Sequence, residues 1–110
     1  MQISVRKADN TLILAVDGRL DTLTAPEFQR KIEELLDQGE KKLLLDLGDL
    51  QYVSSAGLRS ILVGAKKAKM LGGGLSCCHL QPLVRKIFEV SEFTRLIPVL
   101  DSLEQALKQP

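Results

Sequence analysis

Histidine is nearly absent from the 110 residues, cysteine occurs twice, and neither sign of charge predominates. Each shortage removes a class of function. Cys77 and Cys78 are neighbours, so they cannot staple distant segments, and a strand would turn them to opposite faces. They read as small buried apolar residues. His79 follows directly, but Cys-Cys-His lacks the spacing that lets side chains converge on one zinc, and the sequence holds no second His or Cys cluster. No metal and no cofactor are therefore expected, and His79 reads as a partly buried residue at a strand end. With 15 Lys and Arg against 14 Asp and Glu the net charge is +1, so no basic field exists to hold a phosphate backbone and no direct nucleic-acid partner is expected. The opening "MQISVRKADN" lacks the apolar core of a signal peptide, and no later run approaches the roughly 18 apolar residues of a membrane span. A cytoplasmic protein without a membrane segment is the expectation.

What remains is an ordinary globular composition, 45% hydrophobic and 26% charged, in a chain long enough for one domain and too short for two. Residues 1–110 are thus read as a single unit. "ISVRKADN" and "TLILAVDGRL" predict a hairpin turning at Ala8-Asp9-Asn10. Thr24 and Glu27, with Pro26 between them, have the spacing of a capping box, and Ala25, Phe28, Ile32, Leu35 and Leu36 form one helical stripe that ends before Gly39. "KKLLLDL" is a short continuous apolar run suited to an interior parallel strand. A second helix is predicted from Ser55, with Leu58, Ile61, Leu62, Ala65 and Ala68 on one side, ending before Gly72-Gly73-Gly74. "LSCCHL" is the next strand, Pro82 opens a short helix with Leu83, Val84, Ile87 and Phe88 inward, and a last strand lies near Ile97 to Leu100. Asp101 and Glu104 are placed for a second capping box ahead of a terminal helix. The order β-β-α-β-α-β-α-β-α calls for an α/β fold: a mixed, largely parallel sheet of about five strands under about four helices.

The informative stretch is "DLQYVSSAGLRSIL", Asp49 to Leu62, where two serines and a glycine sit between an apolar strand and an amphipathic helix. A serine there can cap the helix, or can be presented to whatever docks. Strand, turn, serine and helix is also the order of a hydrolase nucleophile elbow, but centred on Ser55 the flanking positions are Val53 and Gly57 where glycine is wanted at both. The only available base would be His79. "LGGGLS" leads into a strand and lacks the Lys-Ser or Lys-Thr ending of a phosphate-binding loop.

Taken with "VDGRLDTLTAPEF" and "KLLLDLGDL", the stretch "YVSSAGLRSIL" resembles the STAS domain of bacterial anti-sigma factor antagonists over nearly the whole chain. That resemblance implies a non-enzymatic binding protein. The unphosphorylated form would capture an anti-sigma factor with serine kinase activity and free the sigma factor; phosphorylation would reverse this, and a serine phosphatase would reset it. Aligned on Gly57 and Leu58, the family's acceptor falls on Ser55. Ser54 stands where the family usually has Asp and is the rival acceptor, and Ala56 stands where it usually has Ser or Thr. The implied partner surface comprises Asp21, Ser54, Ser55, Ala56, Gly57, Leu58 and Arg59, with Arg59 placed to steer the partner's nucleotide or to neutralise a phosphoserine. Two alternatives stay open: a STAS adaptor subunit of a lipid-transport or stress-signalling assembly without a serine switch, and a small serine hydrolase.

Overall fold

In the computed structural model, which describes residues 1–108, the hairpin strands β1 (Gln2–Ala8) and β2 (Thr11–Leu20) pair antiparallel across Asp9 and Asn10. Asp9 takes φ 54°, a conformation that a short polar side chain tolerates best. Helix α1 (Ala25–Asp37) follows, then β3 (Lys42–Asp46), β4 (Leu50–Val53) and helix α2 (Ser55–Met70). The chain continues through β5 (Gly74–Cys78), α3 (Pro82–Val90), a 3₁₀ turn (Phe93–Arg95), β6 (Val99–Leu100) and α4 (Leu103–Leu107). The sheet runs β1-β2-β3-β5-β6, parallel everywhere but the hairpin.

Alternation within the strands separates two apolar clusters. Leu12, Leu14, Leu43, Leu45, Leu75 and Cys77 pack with Phe28, Ile32, Ile61, Val84 and Phe88 from the first three helices. Ile13, Leu44 and Cys78 belong to a smaller cluster with Ala106 of α4. Each of β2, β3 and β5 therefore buries residues of both parities, which is why "LILAV" and "LLL" read as continuous apolar runs. The two cysteines do face opposite ways. Burial pushes the Cys77 thiol far above its usual value, and burial, then the nearby Asp46 charge, push Cys78 up to about 11.

The mixed, largely parallel sheet under four helices is as expected, with one short strand added to it, and three local expectations need correction. The sheet has six strands, because β4 pairs parallel with Gly18–Leu20 on β2 beyond the point where β3 stops at Asp46. At ten residues β2 is twice as long as β3, and four residues of β4 fill the remaining edge. Neither proposed capping box forms as expected. Thr24 makes no side-chain cap bond on α1, and α4 is capped one residue later, by the Ser102 hydroxyl accepting from the Gln105 N–H at 3.0 Å. Leu83 is exposed, with only Val84 and Phe88 of α3 fully buried. His79 is exposed at φ 61°, yet both its ring nitrogens are engaged. The Leu103 N–H donates to Nε2 at 3.1 Å, so the ring proton resides on Nδ1, 3.1 Å from Asp46 Oδ1. This histidine ties the strand end to α4.

Candidate functional site

Because β2 and β4 are parallel neighbours, both of their carboxyl ends open on the same edge, and each hands the chain to a helix. That places the 21–24 loop beside the start of α2, in the position where sheets of parallel strands present their functional loops. The Ser54 N–H donates to the Leu20 carbonyl at 2.9 Å and fastens the two segments together.

The two serines play different parts. Ser54 is the helix N-cap, extended at φ −92° and ψ 175°, and its Oγ accepts from the Gly57 N–H at 3.2 Å. Its hydroxyl is half-buried and in use. Ser55 is the first helical residue, exposed, and its side chain makes no hydrogen bond among the described residues. The N–H groups of Ser55 and Ala56 have no acceptor within the helix, so the end of α2 beside the Ser55 hydroxyl is electropositive.

Gly57 explains why the helix can start so close to the sheet. A Cβ on this residue would lie 2.5 Å from the Leu20 carbonyl oxygen and 2.9 Å from both Leu20 Cγ and Val53 Cγ2. Gly57 is buried and Leu58 packs against the main core, so these two hold the helix end in place while Ser55 and Arg59 face outward. Ala56, half-buried between them, lines a groove with Arg59.

Asp21 is a loop-builder. Its Oδ1 accepts from the N–H groups of Leu23 (3.0 Å) and Thr24 (3.2 Å), while the Thr24 hydroxyl accepts from the Asp21 N–H and donates to the Arg19 carbonyl, each at 2.9 Å. Burial acts to raise the Asp21 carboxyl, but the Thr24 and Leu23 N–H groups, the Thr24 hydroxyl and Arg19 together outweigh it and hold the pKa below its ordinary value. Arg19 lies 3.7 Å from Asp21 Oδ2 and 4.6 Å over the centre of the Tyr52 ring, bracing the loop against β4.

This bracing displays a residue that sequence reasoning missed. Leu23 is 89% exposed on the loop that Asp21 closes. The available signal was an apolar side chain between two threonines in a polar turn. Arg30 was also missed: it stands off the apolar stripe of α1, and only the packing of α1 on α2 brings it to the groove that Arg59 lines.

A serine–histidine contact, which the hydrolase alternative requires, is not formed among the described residues: His79 meets Asp46 and Leu103. Asp46, Cys78 and His79 do lie within 4.8 Å of one another. Two of the three already have partners within the fold, Asp46 Oδ1 on the His79 Nδ1 and the Leu103 N–H on His79 Nε2, and burial with the Asp46 charge raises the Cys78 thiol pKa and so disfavours the thiolate that a metal would bind.

The STAS domain model matches residues 2–106, both site segments included. The chain belongs to the STAS family. It is 39% identical over 106 residues to BtrV of Bordetella bronchiseptica, named as an anti-sigma factor antagonist, with 96% of this chain and 91% of that protein aligned. Among solved structures, an anti-sigma factor antagonist of Thermotoga maritima superposes with a TM-score of 0.91 at 21% identity, covering 96% of this chain and 92% of the other. The antagonist SpoIIAA in its unphosphorylated form gives 0.81 at 19% identity, covering 96% and 93%. SpoIIAA of Bacillus in its phosphorylated form gives 0.72 at 18%, covering 96% of each chain. These likenesses establish the STAS fold, and among the described residues no helix is long and apolar enough to cross a membrane.

Proposed function

We propose that this STAS domain is an anti-sigma factor antagonist acting by binding, not catalysis, and switched off by phosphorylation of Ser55. The observation that carries the reading is the division of labour between the serines: Ser54 spends its hydroxyl on the cap, and Ser55 holds a free one on the surface. BtrV is named for the same role, and SpoIIAA is a neighbour in fold that exists in both phosphorylation states.

In the unmodified form, Leu23, Ala56 and the Ser55 hydroxyl add no charge of their own to the contact, so an anti-sigma factor can desolvate these three cheaply. With that factor acting as kinase, Ser55 Oγ attacks the terminal phosphorus of ATP. The Oγ–P bond forms, the bond to the bridging oxygen breaks and ADP leaves. The hydroxyl proton passes to a base on the kinase, since no titratable group of this chain touches Oγ among the described residues. The phosphate adds about −1.5 to −2 charges at neutral pH. The helix end tolerates it, but a partner packed over it must bury an uncompensated charge, and the complex separates. A serine phosphatase restores the binding form.

The test is incubation of the full chain with each serine-kinase anti-sigma factor of the source cell and ATP, followed by mass-spectrometric site mapping. One phosphate at Ser55 is expected. A phosphate at Ser54 would refute the assignment, and the absence of both modification and binding would refute the role.

A further inference from the structure

Alongside Ser55, α1 and α2 flank an open groove of about 400 Å³ whose lining includes Thr22, Ala25, Arg30, Ala56, Arg59 and Val63. The two arginines come from different helices, and neither has an ion-pair partner among the described residues. The one acid in the lining, Glu33, accepts a hydrogen bond from the Gln29 side chain at 3.1 Å, and the groove keeps a net positive charge. Two unpaired guanidinium groups over a floor of alanine and valine match a segment that brings a carboxylate with apolar neighbours. Ser55 and Arg59 are also four residues apart on α2, so they share one helix face, and a helical arginine projects back toward the N-terminus.

We propose that the groove receives an acidic segment of the anti-sigma factor, and that Arg59 couples the groove to the state of Ser55. This rests on the reading of Ser55 as the switch. With Ser55 unmodified, Arg30 and Arg59 together hold the partner's carboxylate. Once Ser55 carries a phosphate, the phosphate oxygens draw Arg59 one turn back and the groove loses one of its two cations. Phosphorylation then acts twice, placing a negative charge in the interface and withdrawing the cation that the partner needs. The helix end remains neutralised by its own side chain, so the modified domain stays folded.

Two measurements on the full chain test this. Phosphoserine is installed at position 55 by genetic encoding, and the second ionisation of the phosphate is followed by ³¹P NMR. Arg59→Gln should raise that pKa by about 0.2–0.4 of a unit, the size of an exposed pair four residues apart, and Arg30→Gln should leave it unchanged. An unchanged value in Arg59→Gln overturns the coupling. Separately, the unphosphorylated protein is titrated with each serine-kinase anti-sigma factor of the source cell, expressed singly. Arg30→Gln and Arg59→Gln should each weaken binding by roughly tenfold, with Arg59→Lys recovering part of the loss. If Ser55→Asp abolishes binding while both arginine variants bind like the parent, the groove proposal fails and the serine switch stands. If the parent itself binds none of these factors, both fail.

Discussion

Replacing Ser54 and Ser55 one at a time should separate two effects that the sequence makes look interchangeable. Ser54→Ala removes the hydroxyl that accepts from the Gly57 N–H at 3.2 Å. Loss of an N-cap of this kind costs about 0.5–2 kcal/mol, and the long, half-buried bond here points to the middle of that range, about 1 kcal/mol. For a domain of this size that lowers Tm by roughly 4 °C. Ser55→Ala removes a hydroxyl with no partner from the first helical position, where alanine is the better helix former, so stability should be unchanged or gain a few tenths of a kcal/mol. Ser55→Asp places a carboxylate beside the unpaired N–H groups of α2 and should gain about 0.3–1 kcal/mol at low salt. Binding should rank differently. Ser55→Ala should bind the anti-sigma factor like the parent and resist inactivation by ATP, whereas Ser55→Asp should lose about 2–3 kcal/mol, on the order of a hundredfold, to burial of an unpaired charge. Urea melts beside calorimetric titrations read both quantities on the same samples. A Ser55→Ala variant less stable than Ser54→Ala would refute the cap assignment, and a Ser55→Asp variant that binds like the parent would refute the switch.

Gly57→Ala should destabilise by about 1–3 kcal/mol, because the new Cβ meets the Leu20 carbonyl at 2.5 Å and backbone cannot swing aside; a urea midpoint within error of the parent's would contradict this. Since the folded pKa of Asp21 lies below its ordinary 3.8, its contribution is complete above that value and is lost as pH falls through the folded pKa. The Leu23 and Thr24 amides should therefore lose hydrogen-exchange protection in acid, and Asp21→Asn should weaken that dependence. His79→Ala takes the acceptor from the Leu103 N–H and should loosen α4, so that at fixed pH Cys78 reacts faster with a thiol reagent while Cys77 stays inert; equal rates in variant and parent would show that α4 holds without the histidine. Cys77→Ser and Cys78→Ser should lower stability through buried hydroxyls while leaving partner binding intact wherever the protein folds, as titration would register.

Periodicity and punctuation in the chain by themselves determined the hairpin, the buried third strand, the four helices and the two-faced cysteine pair, because an apolar repeat of 2 or 3.6 and a Gly or Asn at a turn are local properties. The segment around Ser55 was legible for the same reason, a contiguous motif at a strand-to-helix boundary. What depended on neighbours distant in sequence was not. Strand β4 exists because β2 outlasts β3, and four residues of "LQYV" carry too little pattern to announce a strand whose partner lies thirty residues earlier. Which serine caps α2 turns on a one-residue choice of helix start, and the close approach allowed by Gly57, with the Ser54 N–H bonded to Leu20, sets that choice. Asp21 reads as a possible contact in the sequence, but in the fold its carboxylate is spent on two backbone N–H groups, and the exposed residue it delivers is Leu23. The meeting of Arg30 with Arg59 was likewise a decision of tertiary structure. Side chains on separate helices acquire a common groove only when the helices pack, and Gly64, which lets Ile32 approach the middle of α2, is one of the residues that lets them do so.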